Sequence, residues 1–171
     1  MSLQLDGTSG VLGNSGAFIA GTAVASTSGT SIDFTSIPSW VKRVTVNFSA
    51  VSLSGSANPK IQLGSGTVTT TGYVGGNYVF GVQSTALSTS GFDIGGGLAS
   101  ASNLFTGNFV FTLLTGNTWI GTASLSATGV GTYGCAMSGS VTISGALTII
   151  RITSTNGTDT FDAGSINILY E

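Results

Sequence analysis

Apolar and polar positions alternate with a period of two in several short stretches, the pattern of half-buried strands. Residues 31–35 alternate around Ile32 and Phe34. Residues 41–53 form the longest such run, with Val44, Val46, Phe48 and Ala50 expected on one face and Arg43, Thr45, Asn47 and Ser49 on the other. Shorter runs lie at residues 60–63 and in one or two strands within 73–83, interrupted by Gly75 and Gly76. Further runs occupy residues 108–114, 118–125, 129–137 and 139–144. Residues 147–153 and 165–170 end the series, the latter with Ile166, Ile168 and Tyr170 on its apolar side. Gly116-Asn117, Asn156-Gly157 and Asp162-Ala163-Gly164 read as turns. Residues 84–103, rich in Ser, Gly and Ala around Phe92 and Ile94, read mainly as a long loop. No stretch repeats with a helical period, and glycine is too frequent for helices, each interior Gly costing about 1 kcal/mol.

Eight to ten short strands separated by turn residues predict an all-β fold, an antiparallel β-sandwich. Eight strands in two sheets is the jelly-roll count. An immunoglobulin-like sandwich is the alternative, although the Cys…Trp…Cys spacing is absent. Residues 1–29 differ in composition from the rest of the chain and run out in a Gly/Ser/Thr/Ala stretch. They read either as an irregular arm with one edge strand or as an extended N-terminal arm that attaches to a neighbouring subunit. The expected division is therefore an arm over 1–29 and a jelly-roll-like sandwich domain over 30–171.

Composition changes this picture in one respect, the nature of the surface. Only 6% of the 171 residues are charged and the formal net charge is −2, against a usual charged share of about 25%. Hydrophobic residues make up 41%, which excludes the disordered class. A surface of hydroxyls, glycine and backbone suits tight lateral contact and is poorly suited to an isolated soluble monomer. A homo-oligomer is expected. Two Lys and two Arg form no basic stripe, so no nucleic-acid partner is expected. No apolar run approaches about 20 residues, so no membrane insertion is expected. Residues 1–6 lack a basic start and an apolar segment, so no secretory leader is expected.

Two stretches carry a resemblance. Thr30-Ser31-Ile32-Asp33-Phe34-Thr35-Ser36-Ile37-Pro38-Ser39-Trp40-Val41-Lys42-Arg43 is one. The other is Arg151-Ile152-Thr153 with the ending Thr-Asn-Gly-Thr-Asp-Thr-Phe-Asp-Ala-Gly-Ser-Ile-Asn-Ile-Leu-Tyr-Glu over residues 155–171. Together they resemble a group of tailed-bacteriophage and prophage proteins found among virion surface, tail-fibre-like and decoration proteins. The similarity spans residues 30–171 and is strongest at its two ends. It implies a component of the phage particle, trimeric by analogy, made in the host cytoplasm and located on the virion, and it transfers no catalytic residue.

Candidate chemistry is sparse. The chain has no His and one Cys, which excludes a Ser-His-Asp triad and zinc sites of His and Cys. Cys135 reads as a small core hydrophobe. Asp159 and Asp162, with Asp33 and Asp93 unplaced, are the only candidates for the facing carboxylates of a glycosidase. Their plainer role is to cap nearby backbone amides in a turn. Asn156, Asp159 and Asp162 could be oxygen ligands to calcium, but their spacing does not match an EF-hand loop. No catalytic, cofactor-binding or metal residue is assigned, and no cofactor is expected. Trp40, Tyr73, Tyr78, Trp119 and Tyr133 could stack on a host-surface glycan; Tyr73 and Tyr78 have the best claim to a surface loop, and core or interface packing is the alternative for all five. Arg151, flanked by Ile150 and Ile152, needs an acidic partner, with Asp159, Asp162 or an acid across a subunit interface as candidates, unless it stands solvated at an edge.

These readings converge on a non-enzymatic structural protein on the exterior of a tailed-phage virion. A capsid decoration or cement protein, or a short head fibre, is the first form of that reading. A tail-fibre tip that binds a host receptor is the alternative, and a polysaccharide-degrading virion enzyme a third.

Overall fold

Two antiparallel sheets face each other across an apolar core, and the chain is an all-β sandwich. The computed structural model describes residues 5–6, 10–11, 18–81, 84–96 and 100–171. In chain order the strands are β1 (Leu5–Asp6), β2 (Gly10–Val11), β3 (Ile19–Ala20), β4 (Val24–Ala25), β5 (Ser31–Thr35), β6 (Arg43–Leu53), β7 (Pro59–Ser65) and β8 (Thr67–Val68). They continue as β9 (Val74–Val79), β10 (Ser84–Ser88), β11 (Phe92–Asp93), β12 (Leu104–Thr115), β13 (Thr118–Thr128), β14 (Thr132–Thr142), β15 (Ile149–Ser154) and β16 (Phe161–Tyr170). Ten of them have five residues or more, so the alternation in the sequence locates most of the long strands and passes over the two-residue ones.

The larger sheet has nine strands in the order β10-β9-β14-β13-β12-β6-β16-β3, with β4 also pairing β16. The smaller has five, β11-β7-β15-β5 with β8 beside β7. This division differs from eight strands shared between two sheets, the count behind the jelly-roll expectation. β15 and β16, adjacent in sequence, belong to different sheets. The Asn156-Gly157 turn between them therefore carries the chain across the sandwich instead of closing a hairpin.

Local chemistry explains where the sequence pattern and the strands part. Val44, Val46 and Phe48 are buried as alternation requires, but Ala50 is not, and Val51 and Leu53 take over the inward positions. Ala50 has φ 52°, and the register of β6 shifts against both β12 and β16 at this level. An extra residue has been inserted, and the inward face changes parity beyond it. The partner strand carries the matching irregularity. Asp162-Ala163-Gly164, expected to be a turn, lies inside β16 as a bulge, with Gly164 at φ 92° against the backbone of Ser49 and Ala50. Glycine adopts that conformation without the penalty a Cβ brings.

The two strands expected over 129–144 are one, β14. Gly139 does not turn the chain there. It stands directly opposite Gly75 of β9, close enough that a Cβ on either residue would press into the other's backbone. Residues 84–103, expected to be mainly loop, contain β10 and β11. Gly116-Asn117 does make the tight connection between β12 and β13, with Thr115 opposite Thr118 and Gly116 at φ 54°.

The N-terminal segment is described from residue 18 onward, apart from the short β1–β2 pair; the remainder of the expected arm lies outside the described residues. From Ile19 to Ser26 the chain runs along β16. Ala20 pairs with Leu169 and Ala25 with Ser165. The Gly21 N–H donates to Ile168 O, and the buried Ser26 hydroxyl donates to Ala163 O at 2.7 Å.

Aromatic rings join the two sheets. Phe92, on the small sheet, meets Tyr73 edge-on at 5.0 Å and Phe111 of the large sheet at 5.1 Å. Phe111 stacks on Phe109 at 6.3 Å, and Phe109 meets Phe48 at 5.3 Å. Gly121 makes room for this arrangement, since a Cβ there would lie 2.9 Å from both the Phe111 and Phe92 rings. The Tyr73 hydroxyl receives the Leu63 N–H at 2.9 Å and donates to Thr69 O at 3.0 Å, so the ring is held in the small sheet by its polar end.

Replacing Phe92 removes a side chain that is 1% exposed. Phe92→Ala is expected to destabilise the protein by about 3–5 kcal/mol, read as a lowered urea midpoint with an unchanged slope. A loss below about 1 kcal/mol, the scale of an exposed substitution, would show that the ring does not join the sheets.

Candidate interaction surface

Charge is distributed unevenly over the sandwich. Among the described residues, the four groups that form ion pairs lie on β5, β6, β15 and at Glu171. Arg151 stands directly across from Asp33 and holds it with two bonds, Nε to Oδ1 at 2.8 Å and Nη2 to Oδ2 at 2.7 Å. This corrects the expected pairing of Arg151 with Asp159 or Asp162. The Asp33 carboxylate raises the Arg151 pKa further above its ordinary value. Arg43 Nη1 reaches Glu171 Oε1 at 2.8 Å, and the backbone N–H groups of Lys42 and Arg43 both donate to Glu171 O. Both pairs are partly exposed, so each contributes little, about 0–1 kcal/mol. Their effect is to register strands that are far apart in sequence.

Of the two aspartates considered as a glycosidase pair or calcium ligands, Asp159 is held by neighbouring amides. Asp159 Oδ2 accepts the Ala57 N–H at 2.8 Å, and Oδ1 accepts Asn156 Nδ2 at 2.9 Å. Asn156 Oδ1 in turn accepts the N–H groups of Thr158 and Asp159, both at 3.0 Å, and the Ser154 hydroxyl at 2.9 Å. The Asn156 amide and then the Ala57 N–H hold the Asp159 carboxyl below its usual range. This is an Asx-type turn that ties the 155–160 loop to the 54–59 loop. Asp162 is exposed within the β16 bulge. Cys135 is buried under the sheet, and burial pushes its thiol pKa up, away from a reactive thiolate.

Asp93 lies apart from these. It stands opposite Lys60 at the edge of the small sheet, with Oδ1 buried and without a hydrogen-bond partner among the described residues. Burial pushes its carboxyl up to about 6, with Lys60 pulling in the other direction. The Lys60 ammonium is shared with Ser90 Oγ and Thr155 O, each at 3.4 Å. Asp93 also adds to the upward push on Tyr73, which burial carries to about 12.

The five aromatic candidates for stacking separate clearly. Trp119 and Tyr73 are core residues. Trp40 packs on Tyr170 with centroids 6.0 Å apart, and Tyr133 lies against the core. Tyr78 points outward from β9. Its ring meets Phe80 edge-on at 5.2 Å, and Phe80 is 55% exposed. Beneath these rings the floor is made of small residues. Gly76, Ala136 and Ser138 line a shallow open depression of about 290 Å³ beside Tyr78. Val74 and Leu87 are exposed on the same outward face, since Gly76 pairs with Leu87 and lies two residues from Val74. The sequence alone singles out Tyr78 but not Val74, Phe80 or Leu87. The spacing Val74-x-Gly76-x-Tyr78-x-Phe80 is the available signal, because it places all three large residues on one face opposite the buried Asn77 and Val79.

Next to this patch the sheet is uncharged over a wide area. None of the chain's ten ionisable Lys, Arg, Asp and Glu residues lies in β10, β9, β14, β13 or β12. These are five adjoining strands of the large sheet. Ser and Thr fill most of the outward positions of β13 and β14, such as Thr118 and Thr142, whose hydroxyls meet at 2.9 Å. Such a face is suited to contact.

No protein-family model, curated protein or solved structure matches the chain.

The buried carboxyl at Asp93 gives the protein a defined response to pH. Its folded pKa, about 6, is raised above the unfolded value of about 3.9. Its stabilising contribution is thus complete below about 3.9 and is lost as pH rises through 6. Asp159, held low, acts in the opposite sense and only below its ordinary range. Melting temperature is expected to fall between about pH 4.5 and 6.5, and Asp93→Asn is expected to flatten that slope. An unchanged slope in the variant would exclude Asp93 as its source.

Proposed function

We propose that this chain is a non-enzymatic structural protein on the exterior of a tailed-phage virion, a capsid decoration or cement protein or a short head fibre. It works as a homo-oligomer, trimeric by analogy with the surface proteins it resembles, and docks on other virion proteins. The observation that carries this reading is the placement of the two stretches that bear the resemblance. They come from opposite ends of the 30–171 region, yet they adjoin in the fold. β5 pairs with β15 along its length, Thr153 Oγ1 donates to Thr30 O, and both ion pairs, Asp33–Arg151 and Arg43–Glu171, join one stretch to the other. The resemblance thus falls on one physical unit, as a shared framework would. The charge-free face of the large sheet supports an assembled state, because a surface of this kind excludes neither a like neighbour nor salt.

A second reading is favoured by one observation. The Tyr78–Phe80 pair over a shallow depression is an exposed aromatic platform, which suits a tail-fibre tip that touches a host-surface glycan. The enzymatic reading has less support, since both oxygens of Asp159 are engaged by the protein itself.

Immunogold labelling of intact particles with antibody against this chain separates the readings. Label spread over the head is expected. Label confined to the tail tip would favour the receptor-binding reading, and particles without label would overturn both.

A further inference from the structure

The large sheet ends differently on its two sides. At one end β16 is covered by the chain's own β3 and β4. At the other, β10 pairs with β9 alone among the described residues. A free strand edge presents unpaired N–H and C=O groups to any extended neighbour, and natural proteins guard such edges with charges, Pro or covering loops. β10, Ser-Thr-Ala-Leu-Ser, has neither a charge nor a Pro. The outward face beside it is apolar. Leu87 is 83% exposed, Val74 73%, Phe80 55% and Tyr78 37%. Leu87 stands opposite Gly76 and so diagonal to Val74 and Tyr78, and the Tyr78 ring touches Phe80. The largest apolar patch on a monomer is about 300–600 Å² and is often functional; four large side chains grouped this way approach that size.

We infer that the β9–β10 face and the outer edge of β10 are a contact between copies of this chain. The inference rests on the oligomeric part of the proposed function and locates its interface. Charge decides the occupant. The patch and the four strands β9, β14, β13 and β12 beyond β10 contain no ionisable Lys, Arg, Asp or Glu, so a charged partner, an acidic or basic peptide or a phosphate-bearing surface, finds no complement there. A second copy brings the same uncharged surface. Its approach desolvates no ion, and a formal net charge of −2 sets little repulsion between copies. The glycines help: Gly76 and Gly134 leave the ground around Tyr78 and Phe80 low, so a neighbouring side chain can seat between the rings and Leu87.

Sedimentation equilibrium of the full chain at micromolar concentration tests this with three variants. Leu87→Lys and Phe80→Lys each place a charge in the contact, whereas Thr35→Lys places one on β5, the edge strand of the small sheet, where Thr35 is exposed. The wild-type chain is expected to be an oligomer. Leu87→Lys and Phe80→Lys are expected to raise its dissociation constant by about thirtyfold or more, with Thr35→Lys unchanged. Thermal melting of each variant checks that the fold survives, which the exposure of all three sites favours. An oligomer that persists in both Leu87→Lys and Phe80→Lys would overturn the inference and leave the oligomeric reading standing. A monomeric wild-type chain would overturn both.

Discussion

The interlock of Phe92 between Tyr73 and Phe111 is the contact on which the sandwich depends. Phe92 sits on a strand of two residues, too short to hold itself to the small sheet by hydrogen bonds alone. Its ring does the holding, and the ring fits because Gly121 has no side chain. From Phe111 the contact passes to Phe109 and Phe48, and so across the middle of the large sheet. Aromatic pairs of this kind contribute about 0.5–1.5 kcal/mol beyond the area they bury. In a protein with few charges and partly exposed ion pairs, no electrostatic network among the described residues offers comparable support.

That core leaves the outside free to be unusual. Because stability comes from the interior, five adjoining strands can dispense with charge and present Ser, Thr and Gly. The few charged groups are used for registration. Arg151 and Asp33 are 118 residues apart in sequence and meet as a cross-strand pair; Arg43 and Glu171 are 128 apart and tie the start of β6 to the end of the chain. The uncharged face, in contrast, is drawn from the middle of the sequence, between β9 and β14.

Much of this is legible in the sequence, and the exceptions have physical causes. Strands with one buried face, such as β5 and the first half of β6, announce themselves by alternation. Alternation misplaces β6 beyond Phe48 because the positive φ of Ala50 shifts the parity, and a bulge leaves no mark in composition. Gly139 and Gly164 look like turn residues; one serves close strand approach and the other a bulge, and both uses need the same residue for different reasons. β10 looks like loop because small polar residues with one leucine carry no period. The partner of Arg151 is beyond reach of the sequence, since strand order within the sheets is set by the whole chain. The contact surface is half visible: Tyr78 stands out in the sequence, but Phe80 and Leu87 do so only once β9 and β10 are paired.

Native-state hydrogen exchange tests most directly whether the aromatic interlock makes the two sheets one cooperative unit. Amides of β7 and β15, in the small sheet, should then exchange only through the global opening that also releases β12 and β13 in the large sheet, with equal free energies and equal dependence on denaturant. Exchange of β7 and β15 at a distinctly lower free energy, while β12 and β13 stay protected, would contradict the account.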